Sequence, residues 1–404
     1  MECAFGVWDE RLVLGLRAAG RFDRIIDLET CFLMSPECLE VLKRVRTWAH
    51  DHHLSGYHRG HHEGDLRYLV LREGKNTGQR MAVLLATSSA VTPTKVAPST
   101  VEGQGQPVQV ALAPHPGGVQ SNVLDPGFLR DDGVESLRPS LEPLLTTCWL
   151  GVTDEKSDVA QAKDMRLLWG PGTIQEKLGP ITYRISPYSF FQTNTHGTEK
   201  LYALLQEWAF SISSSPAVAG GGSMDRAHHN PCSAPSPGSL RDSPPEAGGN
   251  DDLMQTGGAL IDLYCGSGGI TLALAASFDR VIGIDTNKAA IEDAKKNAEA
   301  NGIENAEFVC EDALEFLKKL PGSKLSVQLS AMVVDPPRAG LHPKALQALL
   351  EMNPAKLAYV SCNPESLARD LQSLVPVYRI RSAQPVDLFP HTAHVETLCI
   401  LEHR

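Results

Sequence analysis

The sequence predicts an α/β protein with a mostly parallel, seven-stranded sheet in its carboxyl-terminal part and a smaller α+β domain before it. Two observations support this fold class. Strand-like and helix-like segments alternate from residue 258 onward, and glycine, proline and acidic residues follow several of the predicted strands. Such alternation favours a parallel sheet covered by helices on both faces. Ligands of these sheets bind outside the carboxyl ends of the strands, where we therefore expect the functional residues.

Seven apolar runs of this part are predicted strands: ALIDLY, RVIGID, AEFVCED, AMVVD, LAYVS, YRIRSAQPV and VETLCILEH. Three runs with apolar residues at helical spacing lie between the first strands: GITLALAASF, KAAIEDAKKNAEANG and ALEFLKKL. The first 210 residues mix predicted strands (RLVLGLRA, LRYLVLRE, RMAVLLAT, TCWLGV, DMRLLWG, ITYRISP) with helices over PECLEVLKRVRTWAHDH and GTEKLYALLQEWAF.

Two polar stretches suggest how the chain divides. Residues 1–210 form the predicted α+β domain, with a loop insert near 91–120. Residues 211–257 are rich in serine, proline and glycine and have few large apolar side chains, so we expect disorder there. Residues 258–404 form the predicted ligand-binding domain.

Composition restricts the class of protein. The 404 residues are 42% hydrophobic and 21% charged, as in ordinary folded proteins, and no apolar run is long enough to span a membrane. The formal net charge of −11 argues against nonspecific coating of nucleic acid but allows a local basic groove. Nine scattered cysteines without a CxxC pair indicate a reducing, intracellular compartment, either the cytoplasm or an organelle. We expect a monomer without a signal peptide, and we expect the chain to be truncated at its N-terminus.

A glycine-rich motif follows the first strand of the carboxyl-terminal part. Asp262 opens the run DLYCGSGG, and Asp285 ends the next strand, where a carboxylate can accept hydrogen bonds from ribose hydroxyls. Dinucleotides and S-adenosylmethionine both bind this layout. An acid would repel a pyrophosphate but suits the amino group of a methionine moiety. The residues thus favour S-adenosylmethionine over a nucleotide, and a glycine turn without a ligand is the remaining alternative.

Two further motifs follow the fourth and fifth predicted strands. In Asp335-Pro-Pro-Arg338, the prolines stiffen the turn and the arginine offers a planar donor fork to phosphates or base carbonyls. Cys362 in SCNP precedes a helix, whose N-terminus can lower the pKa of a thiol, so we predict a nucleophile. The alternatives are a stiff turn with solvated charges and a cysteine buried as a small apolar side chain.

A fourth motif opens the last predicted strand. Glu396 follows His391 and His394, and a carboxylate among apolar neighbours can serve as a proton acceptor. The alternative is a loop with solvated charges.

An aromatic run precedes the helix GTEKLYALLQEWAF. Phe190 and Phe191 could stack on a base or on adenine, and Gln192 could read an amide edge. Considered alone, such aromatic residues more often belong to the core.

Together these motifs resemble those of the RNA uracil-C5 methyltransferase family, whose members methylate uridine in transfer RNA or large-subunit ribosomal RNA. The runs FFQTN, DLYCGSGG, GID, DPPRAG, SCNP and HVET stand in the family's order, within about 180–404. The N-terminal half, with LVLGLRAAGRFDRIIDLETCFL, looks more loosely like the central domain of the ribosomal-RNA branch. The resemblance implies a Rossmann-like class I methyltransferase fold, S-adenosyl-L-methionine as cofactor and RNA as partner, with ribosomal RNA favoured over transfer RNA.

The resemblance also implies roles for single residues. It makes Cys362 the nucleophile, Glu396 the base, and Arg338, Phe190 and Phe191 contacts of the substrate. The implied cofactor-binding residues are Gln192, Tyr264, Gly269, Asp285, Asp335 and, facing the adenine, Asp312.

This chain departs from the family pattern at two positions of the cofactor site. Asp285 stands where the family usually has glutamate, which shortens its reach to the ribose, and Gly269 stands where many members have asparagine. We expect no metal site. We expect no iron–sulfur cluster either, because Cys31 alone could match a cluster cysteine and Cys3 and Cys38 do not restore the spacing.

The implied mechanism is covalent, because C5 of uracil is a poor nucleophile until a thiolate adds to C6. The uridine must be unpaired or flipped out, since a paired base cannot be reached on both faces. Two alternatives stay open. One is a catalytically impaired relative that only binds RNA. The other is a methyltransferase for another base, although amino-methylating enzymes of this fold tend to have an NPPY-like run in place of DPPR.

Overall fold

The computed structural model describes residues 1–9, 11–18, 20–91, 132–156, 159–213, 258–390, 392 and 394–404. His391, most of the predicted loop insert and nearly all of 211–257 lie outside these residues. Within the described ranges, no helix combines the length and the apolar character needed to cross a membrane.

The N-terminal part contains a seven-stranded sheet with one long helix. Its strands are β1 (Glu2–Trp8), β2 (Arg11–Ala18), β3 (Arg21–Asp27), β4 (Leu66–Gly74), β5 (Gln79–Ala86), β6 (Thr147–Val152) and β7 (Asp164–Trp169), in the order β3-β2-β1-β4-β5-β6-β7. Its helices are α1 (Pro36–Asp51) and the short α2 (Ser88–Val91), α3 (Asp132–Glu135) and α4 (Arg138–Leu141). Only the β5–β6 pair is parallel, because a connection containing helices joins these two strands.

Local sequence explains where the long helix α1 begins and how it packs. The side chain of Ser35 caps α1 by accepting a hydrogen bond from the N–H of Cys38, and Pro36 occupies the first turn. One face of α1 is apolar and is buried against the sheet, with Val41, Leu42 and Val45 almost completely inaccessible.

A hairpin and a long helix connect the two sheets. The hairpin consists of β8 (Ile174–Leu178) and β9 (Ile181–Ile185), and the helix is α5 (Thr195–Ser213). Asn297 and Asn301 in the carboxyl-terminal part bind the hairpin backbone: their side-chain oxygens accept from the N–H groups of Arg184 and Thr182 at 2.8 and 2.9 Å. The hairpin is thereby fixed to the second sheet.

The carboxyl-terminal part has the predicted α/β architecture. Its strands are β10 (Ala259–Leu263), β11 (Arg280–Asp285), β12 (Ala306–Cys310), β13 (Leu329–Val334), β14 (Lys356–Ser361), β15 (Tyr378–Val386) and β16 (Glu396–His403). Its helices are α6 (Gly269–Leu274), continued by a 3-10 turn (Ala275–Ser277), α7 (Lys288–Ala300), α8 (Ala313–Lys319), α9 (Lys324–Gln328), α10 (Pro343–Met352) and α11 (Pro364–Leu374). The sheet order is β12-β11-β10-β13-β14-β16-β15, and β16 runs antiparallel to both of its neighbours.

The predicted fold class is confirmed, with differences in detail. All seven predicted strands of the carboxyl-terminal sheet are present. Strands β1, β3 and β8 were not predicted, because ECAFGVW, RFDRIID and IQEKL are short runs without a clear apolar alternation. Helix α5 continues to Ser213, past the predicted boundary at residue 210, and its last residues were assigned to the insert because of their serines.

We expect Glu176→Gln to lower the free energy of unfolding by about 2–4 kcal/mol, because it removes the charge from a fully buried acceptor with four donors. These donors are the backbone N–H groups of Lys75, Asn76 and Lys177 and the hydroxyl of Thr195, at 2.6 to 3.0 Å. Urea unfolding measures the effect. Glu199→Gln, which changes a half-buried carboxylate on α5 whose partners are the side chains of Asn76 and His196, is the control. Equal stability of the two variants would contradict the prediction.

Candidate active site

The sheet brings the predicted site residues to one edge. Asp285 ends β11, whereas Asp335 and Cys362 follow β13 and β14 directly, so all three lie at the carboxyl ends of parallel strands. Strand β16 runs the other way, and its second residue, Thr397, pairs with Ser361 at the end of β14. Glu396 therefore lies at the same edge as Cys362, although the two residues come from opposite ends of their strands.

The glycine-rich turn after β10 is held in a strained conformation. Tyr264 has a φ of 69°, which is uncommon for a residue with a side chain and costs conformational energy. The backbone N–H groups of Tyr264 and Cys265 both donate to the carbonyl of Ile284 on β11, at 2.8 and 3.0 Å. These hydrogen bonds attach the turn to β11 at the sheet edge and fix the backbone at Tyr264.

Asp262 lies fully buried beneath this turn. One carboxyl oxygen accepts a hydrogen bond from the hydroxyl of Thr271 at 2.6 Å, whereas the other, Oδ1, has no partner among the described residues. Burial raises the pKa of Asp262 to about 7. A buried acceptor without a partner is costly and fits a charged donor, such as the ammonium group of a methionine moiety. The residues of this edge therefore fit the expected cofactor.

Asp285 and Asp312 are both partly engaged by the backbone. The two oxygens of Asp285 accept from the N–H groups of Gly266 and Asn287, at 3.0 and 2.8 Å. Each oxygen keeps a second lone pair, so a ribose hydroxyl can still be bound, but the short side chain is directed toward the turn. Asp312 caps α8 through Oδ1, which leaves Oδ2 for a ligand.

The thiol of Cys362 lies among charged groups. Burial and the neighbouring charge of Glu396 raise its pKa, the guanidinium of Arg338 lowers it, and Asp335 raises it further. The expectation of a lowered thiol pKa is therefore wrong. Burial has the largest effect and the two carboxyls add to it. The N-terminus of α11 offers little against them, because Asn363 caps the helix and Pro364 contributes no N–H at the first position.

Glu396 and Asp335 are acids whose proton affinity is raised by their surroundings. Glu396 is 2% exposed, its Oε1 has no partner among the described residues, and burial raises its pKa to about 7. Burial and then the charge of Glu396 raise the pKa of Asp335 to about 8. Near neutral pH both groups can hold or release a proton, as acid–base catalysis requires.

A buried carboxylate fixes the loop that contains Arg338. Asp370 on α11 accepts hydrogen bonds from the N–H of Leu341 at 2.8 Å and from the hydroxyl of Tyr359 at 2.7 Å. The side-chain amide of Asn363 donates to the carbonyl of Arg338 at 3.1 Å. The loops after β13 and β14 are therefore one hydrogen-bonded unit. Asp370 was not predicted from the sequence, although an acid among the apolar residues of α11 is a signal of a buried carboxylate.

The remaining predicted residues differ in exposure. Phe190 is 65% exposed and free to stack on a base, whereas Phe191 packs in the core against Tyr183, with ring centroids 5.7 Å apart. Arg338 is exposed and Gln192 half-buried, and neither makes a side-chain hydrogen bond to another described residue. In the described ranges, no three His, Cys, Asp or Glu side chains are grouped so that they could hold a metal ion.

Known proteins with similar sequences are RNA methyltransferases. The family model described as tRNA (Uracil-5-)-methyltransferase matches residues 250–404. An uncharacterized RNA methyltransferase of Chlorobaculum tepidum is 33% identical over 396 residues, which are 96% of this chain and 64% of that protein. Another, of Nitratidesulfovibrio vulgaris, is 31% identical over 406 residues, 100% of this chain and 70% of that protein. The chain thus spans about two thirds of the length of these relatives.

A solved structure matches both sheets. The crystal structure of Pyrococcus abyssi tRNA (uracil-54, C5)-methyltransferase in complex with S-adenosyl-L-homocysteine is similar with a TM-score of 0.61 and 26% sequence identity. The match covers 99% of this chain and 74% of that one. The predicted Rossmann-like class I methyltransferase fold is thereby confirmed.

We expect Glu396→Gln to make the protein more stable at pH 8.5 by about 1–3 kcal/mol, with little change at pH 5. Because the pKa of Glu396 is raised to about 7 in the folded chain, its stabilising contribution is complete below the ordinary value of 4.5 and is lost as pH rises through 7. Urea unfolding at the two pH values measures this difference.

Glu402→Gln on the same strand is the matched control with the opposite sign. Lys356 and Arg381 lower the pKa of Glu402, so its contribution is present at pH 8.5 and is lost at low pH. A Glu396→Gln variant that is destabilised equally at both pH values would contradict the prediction.

Proposed function

Because the chain belongs to the RNA uracil-C5 methyltransferase family, we propose that it methylates C5 of a uridine in RNA, with Cys362 as nucleophile and Glu396 as base. One observation carries this proposal: the thiol and the buried carboxyl lie at the same sheet edge, and the charge of Glu396 acts on the thiol. A methyltransferase for an amino group would need neither residue.

Cys362 prepares the uracil ring for methylation. The thiol first gives up its proton to water. The sulfur of the resulting thiolate forms a bond to C6, and the electron pair of the C5–C6 double bond moves through C4 onto O4, which gives an enolate whose C5 is nucleophilic. The developing negative charge needs donors. Arg338, which is exposed beside the thiol, and Gln192, whose amide has no partner among the described residues, can supply them.

The cofactor supplies an electrophilic methyl group when it is bound. Its amino-acid and ribose portions would be held by Gln192, by the turn residues Tyr264 and Gly269, and by Asp285 and Asp335 at the ends of neighbouring strands. Asp312 would face the adenine.

Glu396 completes the reaction by taking the proton from C5. The electrons of the C5–H bond re-form the C5–C6 double bond, the bond from C6 to sulfur breaks, and the thiolate of Cys362 leaves. Burial among apolar neighbours makes Glu396 a stronger base than an exposed carboxylate, since its pKa is raised to about 7.

The substrate is proposed to be an unpaired or flipped uridine. Phe190 can stack on a base that has left its helix, as single-stranded RNA is commonly read. Ribosomal RNA is the first candidate substrate, because the N-terminal half resembles the central domain of the ribosomal-RNA branch of the family. Transfer RNA is the second candidate, because the similar Pyrococcus abyssi protein is named as a tRNA methyltransferase. The competing hypothesis is a relative that binds RNA without catalysis. Covalent trapping of RNA by Cys362 distinguishes the enzyme from such a relative.

We expect RNA containing 5-fluorouridine to form a covalent adduct with the protein, because the carbon–fluorine bond at C5 cannot be broken by a base. Ribosomal and transfer RNA transcripts are incubated separately with S-adenosylmethionine and analysed by mass spectrometry, and the RNA that is trapped identifies the substrate class. The adduct should be absent from Cys362→Ala.

Cys310→Ala is the control for the trapping experiment, because Cys310 is an exposed cysteine at the end of β12. It should form the adduct like the unchanged protein. An adduct that persists in Cys362→Ala would refute the assigned nucleophile, and binding of RNA without any adduct would favour the non-catalytic relative.

With ordinary RNA, we expect Glu396→Gln to accumulate a methylated adduct and to release product about 100-fold more slowly or worse, because an amide cannot accept the C5 proton. In the unchanged protein, the rate of release should rise with pH through about 7, where Glu396 becomes ionised. Single-turnover measurements across pH 5.5 to 9 follow both species. Fast release by Glu396→Gln, with the same pH profile, would assign the base to another group.

A further inference from the structure

Tyr202 on helix α5 stands directly over the glycine-rich turn. A Cβ atom added to Gly269 would lie far inside contact distance of the Tyr202 hydroxyl oxygen, whereas the next nearest atom, Cζ of the same ring, would be 3.4 Å away. Gly269 has an ordinary backbone conformation, so a side chain at this position is prevented by the tyrosine hydroxyl and not by backbone strain. The hydroxyl thus occupies the space that a side chain at position 269 would need.

The surroundings of this hydroxyl belong to the cofactor edge. Asp262 and Asp335 both lie close enough to act on it electrostatically, and burial raises the pKa of Tyr202 well above its ordinary value. It is therefore a neutral donor at all moderate pH values. The ring packs against two apolar clusters, one containing Ile270 and the other Leu272, which restricts its position. Tyr183 supports the same turn by donating to the carbonyl of Gly269 at 3.0 Å.

We propose that Tyr202 is a cofactor-binding residue whose hydroxyl replaces the side chain missing at Gly269 and donates a hydrogen bond to the carboxylate of the methionine moiety. This inference rests on the proposed function, because it requires S-adenosylmethionine at this edge. The carboxyls of Asp262 and Asp335 suit the ammonium end of that moiety, and the carboxylate end needs a donor, which the hydroxyl provides. The hydrogen bond that family members gain from an asparagine at this position is then supplied by Tyr202, whose hydroxyl fits only because residue 269 is a glycine.

The binding test uses the full chain and S-adenosylhomocysteine in isothermal titration. We expect Tyr202→Phe, which keeps the ring, to weaken binding about tenfold through loss of a hydrogen bond to a charged group. Tyr378→Phe is the matched control: its hydroxyl donates to the carbonyl of Pro354 at the opposite edge of the sheet, so the affinity should not change. Equal affinity of Tyr202→Phe and the unchanged protein would overturn the inference alone. An unchanged protein that does not bind S-adenosylhomocysteine would overturn the proposed function together with it.

A second measurement needs no ligand. We expect Gly269→Ala to lower the thermal midpoint of the free protein by several degrees, because the new methyl group meets the tyrosine hydroxyl. In a Tyr202→Phe background the same change should cost little, since the nearest remaining ring atom is at van der Waals distance. Additive effects of the two substitutions on the midpoint would show that the hydroxyl does not occupy the place of a side chain at 269, and would overturn the proposed replacement.

Discussion

The buried carboxylate of Glu176 is the interaction on which the arrangement of the two sheets depends. It accepts hydrogen bonds from two backbone N–H groups in the turn between β4 and β5 and from one in its own hairpin. It also accepts a hydrogen bond from the hydroxyl of Thr195 at the start of α5. Without these donors an ionised carboxyl could not be fully buried at this position. The segment between the hairpin and α5 contains Phe190 and Gln192, so the same carboxylate helps to position these two residues.

The opposite situation prevails at the carboxyl edge, where acids are buried with few partners. Burial is the main reason for the raised pKa values of Asp262, Asp335 and Glu396. The charge of Asp335 further raises the pKa of Asp262, and the charge of Glu396 that of Asp335, while Glu396 and Asp335 both disfavour the thiolate of Cys362. Burial of these acids destabilises the free protein. Such a cost is common at sites that bind charged ligands or transfer protons. A positively charged cofactor and the guanidinium of Arg338 are the groups that relieve the repulsion. The proposed reactivity of the thiol would then depend on whether the neighbouring cofactor positions are occupied.

Much of this architecture could be predicted from the sequence, for reasons that particular segments make clear. The strands of the carboxyl-terminal sheet are apolar runs that end in distinctive residues, and the ends of parallel strands converge, so Asp285, Asp335 and Cys362 could be placed at one edge. Strands such as ECAFGVW could not be predicted, since their pairing depends on distant neighbours. The prediction of a lowered thiol pKa was wrong, because the helix was visible in the sequence whereas the burial of the thiol and the facing carboxyls were not. Tyr202 could not be identified from the sequence, because it is 67 residues from Gly269 along the chain and only the fold brings the two together.

Helix α5 and strand β10 also determine where the chain tolerates additional length. Gln206 binds the carbonyl of Ala273, so α5 runs alongside α6 away from the turn, and β10 starts at Ala259, at the edge of the sheet opposite the reacting groups. Ser213 and Gly258 therefore lie away from the sheet edge that carries Cys362 and Glu396. For protein engineering, these two positions are attachment points for a fluorescent reporter or an affinity handle that would leave this edge accessible.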